Sequence, residues 1–555
     1  MRRDRLQNAW SMGAVLVVCL CVAALGTAGP AHAWGLVGWG DNEYGQLGDG
    51  TDTGPEACEE RGCSRAATSV AIETVGPFSA GYWQVLAKSS SEKIWAWGEN
   101  TFGELGNEEA WDDKELDLKS IKEGGHERPE HVCKKASPEA VCSYYGEEVK
   151  GLTGSEVQSV TSGVYYSVAL MKNGTLKAWG RNTYGELGIG TSDEYEETPQ
   201  TVCAPEAKPH CSESEALKEV VAVSTGYFHT VALLADGHVL AWGRDDLGQL
   251  GVAPSSISTN CKSAVGEPLS NSEAPCRVLP AEVPGLYDPE HPVTQIAAGW
   301  YDTLALKAGV VWAWGDDSAG QLGTGEVETT CGSAHCNPKP EKITAESMGG
   351  TVTSIAAGSY SGMALLEGGT IRTWGQHLGN GSAAEASSRV PVAVPELSSI
   401  TKVAAGEFYD MALNSEGTVL SWGENHTGDL GLNSKVDSTT VPWPVVGLSG
   451  VTSISAGADF AITNGTLSTI AATPKVTGVS PNKGSHSGGT EVEITGSNFT
   501  GASVVRFGAK PATSFTVKSS TSITATVPAG EIGTVKVWVY TPGGLNATGL
   551  TYKYE

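Results

Sequence analysis

"WGDNEYGQLG", residues 39–48, holds one Trp, three Gly and no apolar run long enough to make a core element by itself. The stretch returns as WGENTFGELG from Trp97, WGRNTYGELG from Trp179, WGRDDLGQLG from Trp242, WGDDSAGQLG from Trp314 and WGENHTGDLG from Trp422, with a shortened WGQHLGNG from Trp374. Seven copies at intervals of 48 to 82 residues mark a repeat architecture, in which no unit buries its apolar face alone and stacking of neighbours supplies the core.

A second motif alternates with the first: AGYWQVLA from Ala80, SGVYYSVAL from Ser162, TGYFHTVAL from Thr225, AGWYDTLAL from Ala298, AGSYSGMAL from Ala357, AGEFYDMAL from Ala405 and AGADFAI from Ala456. Between the two lies a short turn such as KNGTL or ADGHVL. Each unit therefore reads as strand, Gly turn, alternating strand, tight hairpin and a strand ending in Trp-Gly, a small antiparallel sheet. The Trp and Leu of the first motif are expected to wedge between adjacent sheets, and its glycines to supply turns with φ > 0. The chain starts on a WG half-unit and the array ends on an AG half-unit, so the two halves should complete one blade and lock a ring.

Carried by these two motifs, residues 34–468 resemble the RCC1 family, and the resemblance implies a seven-bladed β-propeller. After a linker at 469–475, the stretch "VTGVSPNKGSHSGGTEVEITGSNF" and the short strands following it make residues 476–555 similar to an IPT/TIG domain, an immunoglobulin-like β-sandwich. In secreted bacterial proteins such domains act as spacers or adhesion modules, so this fold names no ligand. The fold class expected is all-β.

Residues 1–33 read as a secretory signal: Arg2, Arg3 and Arg5 precede the apolar run Met12 to Leu25, and Ala31-His32-Ala33 supplies a small-x-small cleavage pattern. The expected mature protein is secreted or held at the cell surface and has no membrane span. The formal charge of −27 repels phosphate backbones, which excludes nucleic acid as a partner class. Four Asp/Glu against seven Lys/Arg from Pro474 onward place the acidity in the repeats. Export and the lack of a basic tail also argue against the small GTPase partner that the family's name suggests.

Ten Cys outside the leader fall in pairs between one GxLG and the next AG: Cys58/Cys63, Cys133/Cys142, Cys203/Cys211, Cys261/Cys276 and Cys331/Cys336. In an exported chain these are expected to be five local disulfides pinning insertions that lack cores of their own. Metal binding is the rival, because His131, His210 and His335 lie within two residues of Cys133, Cys211 and Cys336. Each loop offers at most three such ligands, one short of a closed zinc site, so neither metal nor cofactor is expected. If GxLG is itself a strand, these inserts join the face of the Asn/Asp-Gly hairpins.

Aligned on their Gly, the AG turns place an aromatic at the second following residue in six blades: Trp83, Tyr165, Phe228, Tyr301, Tyr360 and Phe408, with Asp459 in the seventh. Tyr82, Tyr227 and Trp300 add rings one position earlier. This is the composition of a protein-binding hot spot; the alternative is packing between blades. Propellers of this type that inhibit secreted β-lactamases are similar at these turns, which implies a binding disc without implying that target. The next aligned position, His in the family, reads Gln84, Tyr166, His229, Asp302, Ser361, Tyr409 and Phe460. His229 and Asp302 on adjacent blades make an acid/base pair conceivable, but no catalytic constellation stands out. The expected function is non-enzymatic binding of another protein, with a glycan as second choice. A hydrolase or lyase site in the axial channel and a purely structural surface protein are the alternatives.

Overall fold

A computed structural model describes residues 35–58, 61–71, 74–107, 132–133, 140–193, 195–262, 273–326, 329–382, 387–547 and 549–555. The expected leader lies outside them, and among the described residues no helix is long and apolar enough to cross a membrane.

One blade shows how the repeat folds. In blade 2, Val157–Ser162 runs up the inside of the ring and Tyr166–Met171 returns, Leu176–Arg181 runs up again and Tyr195–Thr201 forms the outer edge. All three pairings are antiparallel. The second strand is buried at every position and the WG strand at all but one, because both of their faces meet a neighbouring blade. Seven such sheets form, of four strands in blades 2, 5 and 6 and of five or more in blades 1, 3, 4 and 7. The ring closes as the half-units predict: Gly35–Asp41 from the N-terminal side pairs with Phe460–Leu467, from Gly35 opposite Gly465 to Gly40 opposite Phe460.

The WG motif is the staple between blades. Each indole Nε1 donates to the carbonyl of the residue just before Leu-Gly, or its equivalent, in the preceding blade: Trp97 to Gln46 (3.0 Å), Trp179 to Glu104 (2.9 Å), Trp242 to Glu186 (2.9 Å), Trp314 to Gln249 (2.9 Å), Trp374 to Gln321 (2.7 Å) and Trp422 to His377 (3.1 Å). Trp39 completes the circle by donating to Asp429 at 2.8 Å, across 390 residues of chain. All seven indoles are fully buried. The closing Gly of the motif must lack a side chain, since a Cβ at Gly106 or Gly188 would stand 2.7 Å from the next indole nitrogen. Within the loop, the Asn or Asp after WG-x accepts from the Leu N–H in six copies, as Asn42 does from Leu47 at 2.9 Å and Asn182 from Leu187 at 3.1 Å.

GxLG is therefore a turn and not a strand, which moves the inserts to the other face. The outer strand comes from residues after it, and the Cys-bearing hairpins begin beside the ends of the WG strands: Cys63 lies opposite Asp41, Cys142 opposite Glu99, Cys276 opposite Arg244 and Cys336 opposite Asp316. These inserts share the face of the AG and WGxN turns. Disulfides join Cys58 to Cys63, Cys203 to Cys211, Cys261 to Cys276 and Cys331 to Cys336. Cys142 is also disulfide-bonded, and the Cys133 side chain lies outside the described residues. The Cys203–Cys211 bridge follows its outer strand instead of preceding it.

The C-terminal sandwich has one sheet built around Glu491–Ser497 and a second around Gly533–Thr541, enclosing Val492, Ile494, Phe507, Ile523, Val537 and Tyr552. It packs on blade 6 and on the loop that joins blade 5 to it. Leu545 N–H donates to Leu432 O (3.1 Å), Asn433 Nδ2 donates to Gly543 O (2.8 Å), and Arg506 pairs with Glu396 (2.8 Å) while lying over the Trp443 ring.

Replacing one staple tests the ring directly. Trp179→Phe keeps an aromatic ring and removes the donor to Glu104 O, and is expected to lower stability by about 2 kcal/mol from the lost hydrogen bond and the small cavity left. Chemical denaturation monitors it, and an unchanged midpoint would show that the indole bond does not hold the blades.

Candidate functional site

The AG turns are built alike and gather at one mouth of the ring. Their Gly has no side chain because the next aligned side chain lies against it: a Cβ at Gly226 would stand 2.2 Å from the His229 ring, and one at Gly163 2.2 Å from Tyr166. The two residues after the Gly then turn out onto the face. Tyr82, Tyr227 and Trp300 fill the mouth, with Tyr82 stacked on Trp300 (centroids 5.8 Å) and Tyr227 edge-on to Trp300 (5.0 Å). Beneath them lies a cavity of about 180 Å³ ringed by AG residues of all seven blades, with Glu407 its one ionisable carboxyl.

The second aromatic of each turn joins its neighbours. Trp83 meets Tyr165 (5.2 Å), Tyr227 meets Tyr301 (5.4 Å), Trp300 meets Tyr360 (5.2 Å) and Tyr360 stacks on Phe408 (5.5 Å). The result is an aromatic arc from blade 1 to blade 6, and Tyr82, Trp83, Tyr165, Trp300, Tyr301, Tyr360 and Phe408 are each half-buried. Phe228 departs from expectation. It is 1 % exposed, roofed by the Tyr227 edge (4.0 Å) and flanked by Tyr184, with the Arg181 and Arg244 guanidinium groups 4.5 and 5.6 Å from its centre. It supports the arc and is withdrawn from the surface.

The arc also contains rings from the WGxN turns that the alignment of AG turns misses. Tyr44 meets Trp83 (5.4 Å), Phe102 meets Tyr165 (5.1 Å) and Tyr184 meets Phe228 (5.2 Å). All three precede the second Gly of their motif in consecutive copies, so aligning that variable position would have found them.

His229 and Asp302 point around the ring and not into the channel. Side chains at this position tie most blades to the next: Gln84 Nε2 donates to Gly163 O (3.1 Å), Tyr166 Oη to His229 O (2.6 Å), and Tyr409 Oη to Phe460 O. His229 Nε2 is 3.0 Å from Thr303 Oγ1, and burial pushes its pKa down to about 3, so the ring is neutral at ordinary pH. Asp302 is fully buried; burial first, then the charges of Asp316 and Asp317, hold its carboxyl well above the usual range. In blade 6 Asp410 accepts from Ser361 Oγ (3.1 Å) and burial raises it to about 8. Of the histidines beside cysteines, His210 approaches Asp193 and Glu196 within 4.8 Å, a largely exposed group whose neighbour Cys211 is consumed by its disulfide.

Family models match this chain in two places. The model described as "Regulator of chromosome condensation (RCC1) repeat" covers residues 173–233, 236–306, 308–365 and 416–463, and a second of the same description covers 157–186 and 220–249. The IPT/TIG domain model covers 474–554. Among curated proteins, Protein pim1 of Schizosaccharomyces pombe is 34% identical over 170 residues, 30% of this chain and 29% of pim1. The Ultraviolet-B receptor UVR8 of Arabidopsis thaliana is 26% identical over 289 residues, 52% of this chain and 50% of the receptor. The chain thus spans half or less of the length of these relatives. Two solved structures share the fold at 20% identity and 79% coverage of this chain: human WBSCR16, with TM-score 0.59 over 100% of its chain, and Prp20p of Saccharomyces cerevisiae, with TM-score 0.57 over 93% of its chain.

The raised carboxyls set the sign of the pH dependence. The folded chain keeps protons on Asp410 up to about pH 8, whereas an unfolded Asp releases them near 3.8. Stability is therefore fullest below the unfolded value and falls as pH rises through that window. Asp410→Asn is expected to flatten this fall, as read from urea midpoints between about pH 5 and pH 8; an equal slope in both proteins would refute the assignment.

Proposed function

We propose that this chain, which carries RCC1 repeats closed into a propeller and a C-terminal IPT/TIG domain, is an exported, non-enzymatic binding protein whose aromatic face grips another protein. The observation that carries this reading is the arc itself. Rings from five blades stand half-buried at one mouth, with Tyr227 and Phe228 of blade 3 buried among them, held by edge and stacking contacts of 4.0 to 6.2 Å. Rigid aromatics that need little ordering on contact are what a binding hot spot requires. The Cys-bearing hairpins rise at the same end of the blades and extend the rim, and their disulfides favour an oxidising compartment.

Protein binding has precedent in the fold: Prp20p of Saccharomyces cerevisiae binds Gsp1p and histones, and the same yeast propeller has been crystallised bound to Kap60. These similarities lend no support to the exclusion of a small GTPase, and that exclusion is not part of the proposal. Inhibition or adhesion would be the consequence of the grip, according to the partner. His229 is occupied in a tie between blades and the Asp302 carboxyl is fully buried, which favours binding over hydrolysis in the channel.

Affinity capture from the producing organism's secreted and surface fractions tests the reading, with the native chain beside a Trp83→Ala, Tyr360→Ala, Phe408→Ala variant of matching circular dichroism. A protein held by the first and lost by the second is the expected outcome. Equal retention by both would remove the aromatic face as the site.

A further inference from the structure

The aromatic arc is not a full circle. At blade 7 the turn carries Ala458 and Asp459 where other blades carry rings, and the gap opens between Phe408 of blade 6 and Tyr82 and Trp83 of blade 1. Carboxylates converge there from four turns. Asp41 N–H donates to Asp459 O (2.8 Å), Thr427 Oγ1 reaches both Asp429 and Asp459 O, and Tyr82 Oη donates to Glu407 across the gap. Glu43 and Glu424 complete the group, since Glu43 N–H donates to Asp41 and the charge of Glu424 acts on both Glu407 and Asp459.

Among the described residues these six carboxyls face one guanidinium, Arg61, which acts on Asp41, Glu43 and Asp459, and one imidazole, His426, which acts on Asp459. Arg61 stands 3.6 Å from Glu43 with its side chain 52% exposed, and His426 is 3.6 Å from Glu424. Burial, aided by neighbouring carboxylates, pushes Asp41 and Glu407 each up to about 7 and raises Asp429 and Asp459. The position after WG shows the same asymmetry around the ring: Arg181 and Arg244 in blades 2 and 3, but Asp41, Glu99, Asp316 and Glu424 in blades 7, 1, 4 and 6. Those two arginines are 0 % and 7 % exposed beneath Phe102, Tyr165 and Tyr184, so they offer no charge to an acidic partner.

Resting on the aromatic-face reading above, we propose that the bound segment of the partner is basic: a Lys or Arg side chain enters the gap at Asp459, beside the half-buried Glu407 and Glu424, while apolar side chains beside it lie on Trp83 and Phe408. A cation there gains from carboxylates that the fold has already desolvated, and the flanking rings add cation–π attraction. Complementarity of this kind sets partner choice and encounter rate more than total affinity. A second copy of this chain is disfavoured as the occupant by its net charge of −27.

Selection of short random peptides displayed on phage against the full chain tests this without knowledge of the natural partner. Each enriched peptide is re-assayed on a Trp83→Ala, Phe408→Ala variant. Peptides that lose binding there are expected to carry Lys or Arg next to apolar residues. A synthetic peptide from this set should bind about tenfold more weakly to Asp459→Asn, Glu407→Gln, and should weaken as salt approaches about 1 M, where the screening length falls to about 3 Å. Replacing its Lys by norleucine should reproduce the loss and abolish the effect of the two substitutions. Peptides that need the aromatic face but carry no basic residue, or acidic ones, would overturn this inference and leave the aromatic reading standing. Peptides held equally by the aromatic variant would overturn both.

Discussion

An indole N–H that bonds a carbonyl one blade back is the contact on which the rest of this molecule depends. It is made seven times, at 2.7 to 3.1 Å, between fully buried tryptophans and the backbone just before Leu-Gly. A carbonyl acceptor makes the bond indifferent to the side chain at that position, which is Gln, Glu, His or Asp in different blades. The bond is also directional, so it sets the angle of each sheet on the last. Trp39 extends the rule across the closure, where the N-terminal strand completes the seventh sheet.

Once the sheets are held in this way, the turns that leave them are free to vary, and the variation is where the face acquires its character. Blades 1 to 6 place a ring after the AG turn's first variable position; blade 7 places Asp459 there. The tie beneath is equally tolerant. Gln84, Tyr166, His229 and Tyr409 reach the next blade by different atoms. The cost is visible in the carboxyls that burial forces toward protonation, whose ionisation as pH rises lowers stability.

Most of the architecture is legible in the sequence because the repeat supplies its own alignment. The WG and AG motifs place the three inner strands of each blade, and the unmatched half-units at the two ends foretell the closure, whereas the outer strand lies beyond GxLG in residues that no motif marks. Burial is harder to read. Phe228 occupies the same aligned position as Trp83 and Tyr360, yet Arg181 and Arg244, which no other blade has at that site, draw it under Tyr227. GxLG fails as a strand for a local reason, since Asn or Asp side chains compete for its Leu N–H and fold it into a turn. Glu407 stands in its AG turn at the position that Tyr82, Tyr227 and Trp300 hold in other blades, and only the folded ring brings it to Tyr82, 325 residues away.

If the face made by the AG and WGxN turns is where this ring meets its partner, binding must leave its mark on those turns. Hydrogen–deuterium exchange on the chain alone and in complex with a selected binder reads that mark residue by residue. Exchange should slow at residues 81–83, 163–165, 299–301, 358–360 and 406–408, with the Asn/Asp-Gly hairpins on the far side and the C-terminal sandwich unchanged. Protection of those hairpins or of the sandwich, with the aromatic turns unaffected, would place the partner elsewhere and refute the binding face.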